Sequence, residues 1–155
     1  MPPLKVDGID GMKALVGREI GPTEWREVTQ EDIDDFARLS GDDQWIHVDV
    51  ERARSDSPFG GTVAHGNLTL SLIDGMRKQL IEATGFALGV NYGWNRIRFP
   101  APVPTGSRVR ARAEALSVDE VGGGWWQIVQ RFTVEVDGVE KPACVAESVG
   151  RALPG

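Results

Sequence analysis

Apolar positions along the first third of the chain recur at helical spacing. Ile33, Phe36 and Ala37 fall on one face of a segment that Thr29 is placed to cap, with Glu31 and Asp32 suiting its first turn and Gly41 supplying a stop. Asp49 is placed to cap a second short helix over residues 50–54, and the Ser, Pro and Gly of residues 55–62 read as an exposed loop. The segment GNLTLSLIDGMRKQLIEATG, residues 66–85, follows, with Leu68, Leu72, Ile73, Met76, Leu80 and Ile81 at helical spacing and Leu70 widening the apolar surface. This predicts a long, largely buried helix ended by Gly85. Beyond it the period changes to two. Val109, Ala111, Ala113 and Ala115 alternate with Arg108, Arg110, Arg112 and Glu114, and Trp126, Ile128, Phe132, Val134 and Val136 repeat the pattern. Further strands are predicted near residues 20–28, over 89–100 and over 143–152, with a hairpin loop at Gly122 to Gly124 and a tight turn at Asp137-Gly138. The expected architecture is α+β: about five mostly antiparallel strands around one long central helix, in a single domain spanning residues 1–155.

The stretch SGDDQWIH, residues 40–47, places an acid pair, a tryptophan and one of the chain's two histidines together. Five residues advance about 500° along a helix, and an odd spacing in a strand changes face, so Asp42 and His47 cooperate only if the backbone between them is irregular. Gly41 permits that, because a chain freed from the helix can fold both side chains toward one point, as acid–base chemistry requires. The segment AHGN, residues 64–67, opens the long helix. Its first N–H groups are unpaired donors reinforced by the helix dipole, and the N–H of Gly66, with no side chain in the way, is placed to meet a carbonyl oxygen that gains negative charge.

Composition limits the partners. The 155 residues are 41% hydrophobic and 26% charged, enough for one domain with a real core, and the formal charge of −6 opposes broad attraction to nucleic acid or anionic membrane. No apolar run approaches the roughly 20 residues of a membrane span, and the opening MPPLKVDGID lacks a signal peptide's apolar stretch, so a cytoplasmic location is expected. The single Cys144 excludes an internal disulfide and any multi-cysteine metal site, and its place in an alternating strand favours a packing role over a nucleophilic one. With two histidines and no compact ligand motif, no metal is expected from Asp42, His47 and His65. His65 reads as a structural hydrogen-bonding residue. The arginine-rich strand reads as a solvated sheet face, although Arg96, Arg98 and Arg108 are candidates for phosphate contacts, and Trp45 for shaping a pocket.

SGDDQWIHVD followed by VAHGNLTLSL resembles the hydratase motif of the MaoC-like, or (R)-specific enoyl-CoA hydratase, family, in which glycine-aspartate precedes a short turn and a histidine, and a histidine-glycine pair opens a helix. RFPAPVPTGSRV resembles the family's strand-turn-strand segment after that helix. Where common members carry asparagine-proline, this chain has Gln44 and Trp45, in the manner of nodulation protein N-like members. The resemblance implies a hot-dog fold, a homodimer, and reversible addition of water to a trans-2-enoyl thioester carried by coenzyme A or an acyl carrier protein. Asp42 and His47 would be its catalytic pair and Gly66 its oxyanion donor, with no cofactor beyond the coenzyme A of the substrate. Two alternatives stand beside it: a hot-dog thioesterase, and a non-catalytic acyl-thioester-binding subunit.

Overall fold

The computed structural model describes residues 1–155. Helix α1 (Gly8–Ala14) follows strand β1 (Leu4–Asp7), and the short strands β2 (Glu19–Ile20) and β3 (Arg26–Glu27) lead to α2 (Gln30–Ser40), α3 (Trp45–Val48) and α4 (Val50–Asp56). The long helix α5 (Gly66–Leu80) precedes β4 (Ile81–Thr84) and four long strands: β5 (Phe86–Arg98), β6 (Arg108–Gly122), β7 (Trp125–Val136) and β8 (Cys144–Pro154). The main sheet has the order β2-β6-β7-β8-β5, with β3 also paired to β6 and every pairing antiparallel. No helix is long and apolar enough to cross a membrane.

The alternation in β6 and β7 sets the core. Val109 lies opposite Val136, Ala111 opposite Val134 and Ala113 opposite Phe132, all of them buried. Alanine at 111 and 113 keeps that face low, so α5 lies close across it and inserts Leu68, Ile73, Met76 and Leu80 into the same cluster. This is a helix wrapped by an antiparallel sheet, as expected. On the outer face the arginines meet acids across the strands: Glu135 accepts from Arg110 Nε and from Arg112 Nε, each at 2.8 Å, and Arg131 donates to Glu114 at 2.6 Å. Burial alone would push the Glu135 carboxyl up, but its two arginine partners hold it below the usual carboxylate range. Cys144 is fully buried, and burial pushes its thiol up to about 11, which fits packing and not nucleophilic attack.

Two expectations are corrected. The long helix ends at Leu80 instead of reaching Gly85, because Ile81–Thr84 pairs in parallel with Leu4–Asp7, and the Thr84 hydroxyl donates to Asp7 Oδ1 at 2.9 Å. The helical spacing of Ile81 reflects a half-buried side chain packed against the core, not helical backbone. The strand read over residues 20–28 is two fragments on β6, interrupted where Thr23 takes over: its N–H donates to Ala111 O and its hydroxyl accepts from Ala111 N–H.

Candidate active site

Residue 29 begins the construction. The Thr29 hydroxyl accepts from Asp32 N–H while Asp32 accepts from Thr29 N–H, a reciprocal cap that fixes where α2 starts. Eleven residues later Gly41 ends α2 in the left-handed region, φ 79°, which a side chain would strain. Residues 41–44 then have no regular structure, and α3 begins at Trp45. Asp42 therefore reaches the same place as His47, as the sequence required of any cooperation between them.

Asp42, His47 and His65 each offer an atom within 4.8 Å of the others. His47 is buried, and its Nδ1 lies 2.7 Å from Val63 O. A carbonyl only accepts, so Nδ1 carries the proton and Nε2 presents its lone pair. His65 is buried at the N-cap of α5 with Nε2 2.8 Å from Asp42 O, which by the same reasoning makes Nε2 its donor. The two imidazoles stack with centroids 3.8 Å apart and planes inclined by 22°, and Phe36 closes the other side of His65.

The His47 ring opens onto a cavity of about 310 Å³ whose apolar walls include Ile46, Phe59, Val63, Phe99 and Val103. Gly66 forms part of the same wall as the first residue of α5. As the first residue of the helix, it has no acceptor for its N–H within α5. A Cβ at Gly66 would lie 2.8 Å from the Phe99 ring, so glycine lets that ring pack directly on backbone. An imidazole with a free Nε2 and a helix-opening glycine thus border one apolar hollow, and the exposed Asp42 carboxylate lies within 4.8 Å of the imidazole atoms. The arrangement can deprotonate water and hold a developing oxyanion. A larger hollow of about 410 Å³, near the N-terminus and lined by Pro2, Arg18 and Gln79 among others, has no such group of residues.

The structure separates the other candidates from this hollow. Trp45 does not line it: Arg52 sits over its ring, 4.1 Å from the centroid, on the α3–α4 surface. Arg108 is paired with Asp137 and borders Trp25, so its charge is already matched. Arg96 is exposed on β5 opposite Glu147. Arg98, exposed and donating to Ile97 O, immediately precedes Phe99 and lies nearest in the chain to the cavity wall. Phe59 and Phe99, read from sequence only as loop and strand-end residues, line the cavity, and no local pattern marks them. The stacking of His65 on His47 was equally hidden, because the two lie on different segments.

Comparison with known proteins is consistent with this geometry. The family model described as MaoC like domain matches residues 12–136. The 3-hydroxyacyl-thioester dehydratase Z of Mycobacterium tuberculosis is 47% identical over 145 residues, covering 94% of this chain and 95% of that protein. Nodulation protein N of Rhizobium leguminosarum bv. viciae is 44% identical over 135 residues, covering 84% of this chain and 82% of its own. Among solved structures, the monoamine oxidase regulatory protein from Archaeoglobus fulgius superposes with a TM-score of 0.80 at 23% identity, covering 100% of this chain and 99% of its own.

Proposed function

The chain belongs to the MaoC-like dehydratase family, and from that premise we propose that it is an (R)-specific enoyl-thioester hydratase, equally a 3-hydroxyacyl-thioester dehydratase. One observation carries the reading: Asp42 and His47 converge at a cavity whose wall includes His47 and Gly66. In the hydration direction a water held between Asp42 and His47 loses a proton to His47 Nε2 as its oxygen bonds to C3 of the enoyl chain. The C2–C3 π electrons move into the thioester, whose oxygen becomes an enolate oxygen and accepts from Gly66 N–H. One such donor is typically worth about 3–4 kcal/mol of transition-state stabilisation. The acid–base pair then returns one proton to C2, so water is added with no net proton consumed. Every step uses only the chain's own residues, and coenzyme A or an acyl carrier enters as part of the substrate.

Incubation with crotonyl-CoA is expected to bleach the enoyl absorbance band without releasing free thiol. Thiol release at the same rate would mean hydrolysis and would favour a thioesterase, while no change in either signal would favour a non-catalytic acyl-binding subunit.

The working form is a homodimer in this reading. Strand β5 is the long edge of the main sheet, and its outward side exposes Leu88, Val90 and Tyr92 beside unpaired backbone groups. A second copy laid along residues 90–98 would cover that edge by two-fold pairing. Sedimentation at micromolar concentration is expected to give a dimer, and a Val90→Lys change is expected to shift it toward monomer. A wild-type protein that sediments only as monomer would reject the pairing.

A further inference from the structure

His47 lies on a helix of four residues, too short to hold its own geometry, since helix formation begins with a costly nucleus. Something else must fix it. Its ring is held by Val63 O, and its backbone carbonyl accepts from Gln30 Nε2 at 2.8 Å. Gln30 opens α2, seventeen residues earlier in the chain, and its amide is satisfied at every atom. Nε2 spends its second hydrogen on Asp34 Oδ1 at 2.9 Å, and Oε1 accepts from the Thr62 hydroxyl at 2.6 Å.

The threonines close a small network around this amide. The Thr62 and Thr105 hydroxyls lie 2.7 Å apart, and the single Thr105 proton also has Gln30 Oε1 at 3.3 Å and Thr62 O at 3.1 Å within reach. The backbone repeats the link, with Thr105 N–H donating to Thr62 O at 3.0 Å. Thr62 is buried and immediately precedes Val63, the residue that receives the His47 ring proton. Gln30 therefore joins both supports of His47: the carbonyl of His47 itself and the segment carrying Val63 O. Neither Gln30 nor Thr105 is among the residues lining the apolar cavity.

We infer that Gln30, clamped by Thr62 and Thr105, is a positioning residue that sets the height and tilt of the His47 imidazole for water activation. This rests on His47 being the base of the proposed reaction. The donor to His47 O is the working element: at neutral pH a glutamate in its place keeps an acceptor for the Thr62 hydroxyl but loses the donors to His47 O and Asp34 Oδ1 and sets its charge beside both, whereas leucine removes all three contacts without adding charge. A misplacement of 1 Å at a reacting group can cost about 10²-fold in rate, so partial release of His47 is expected to be visible in kcat.

The test compares Q30L, Q30E and T62V with the wild type on crotonyl-CoA. Q30L is expected to lower kcat about tenfold or more with KM within about twofold, and T62V to lower it less. Q30E is expected to match Q30L at neutral pH and to regain activity relative to wild type toward about pH 5, where its carboxyl begins to protonate and can donate to His47 O. With only two histidines in the chain, ¹⁵N-labelled imidazole spectra report the site independently of turnover. The His47 Nδ1–H signal is expected to move, or to exchange faster, in Q30L. Should Q30L fail to fold, Q30E and T62V decide by the same readings. Folded variants with wild-type kcat, or with lowered kcat and an unmoved His47 signal, would overturn the positioning role. An altered His47 signal in a protein that hydrates nothing would instead uphold the clamp and discard the reaction.

Discussion

Asp42→Asn and His47→Gln are each expected to lower hydration of crotonyl-CoA by about 10²-fold or more while the protein stays folded. The structure explains why folding and activity separate here. Asp42 is exposed, and it is its backbone carbonyl, not its carboxylate, that receives His65 Nε2–H; the asparagine variant therefore keeps the link between the turn and the start of α5. What it loses is the negative charge that, in the proposed reaction, would orient the water and share its proton. At residue 47, glutamine retains an N–H capable of reaching Val63 O but has no basic nitrogen corresponding to Nε2. Groups that act on one water act as a unit, so the double variant is expected to be little worse than either single one. Steady-state kinetics beside thermal melts measures both quantities. Near-normal turnover in either folded variant would remove that residue from the mechanism.

Product stereochemistry is the second large effect. A water held between Asp42 and His47, which reach the site from one turn and the helix that follows it, meets the enoyl plane from a single side. In the proposed reaction Gly66 N–H, at the start of α5, would fix the thioester oxygen and hence the face presented. One enantiomer should therefore dominate strongly. The geometry calls for selectivity, and the (R)-specific hydration proposed above sets the hand that is expected. Hydrating crotonyl-CoA in the presence of an (S)-specific 3-hydroxyacyl-CoA dehydrogenase should yield little reduced nicotinamide, and chiral chromatography should find the (R) product. Predominantly (S) product would overturn the assignment. A racemate would show that water and substrate are not held in one geometry.

Several parts of this site are written locally. The Thr29 cap, the Gly41 stop and the apolar positions of α2 lie within one stretch of chain, and they deliver Asp42 into an irregular turn. The alternation of β6 and β7 fixes which side chains face α5, because a period of two leaves no other choice once one face is buried. The start of α5 at Gly66 is likewise local: the helical spacing begins there. Residues 81–84 show where local reading fails. Ile81 continues the helical stripe, and only pairing with β1, far away in sequence, makes residues 81–84 a strand.

The sequence by itself thus determined the α+β class, the long buried helix, the antiparallel sheet, and the turn in which Asp42 and His47 meet near Gly66. Those features follow from periodicity and from glycine's access to left-handed backbone, which neighbouring residues set. Tertiary structure alone decided the rest: the stack of His65 on His47, the cavity wall of Phe59 and Phe99, the loss of Trp45 to Arg52, the pairing of Arg108 with Asp137, and the clamp from Gln30 through Thr62 to Thr105. Each joins segments well separated in sequence or depends on which way a side chain turns. Such contacts are fixed by how the layers pack, and no local pattern of hydrophobic and polar positions encodes them.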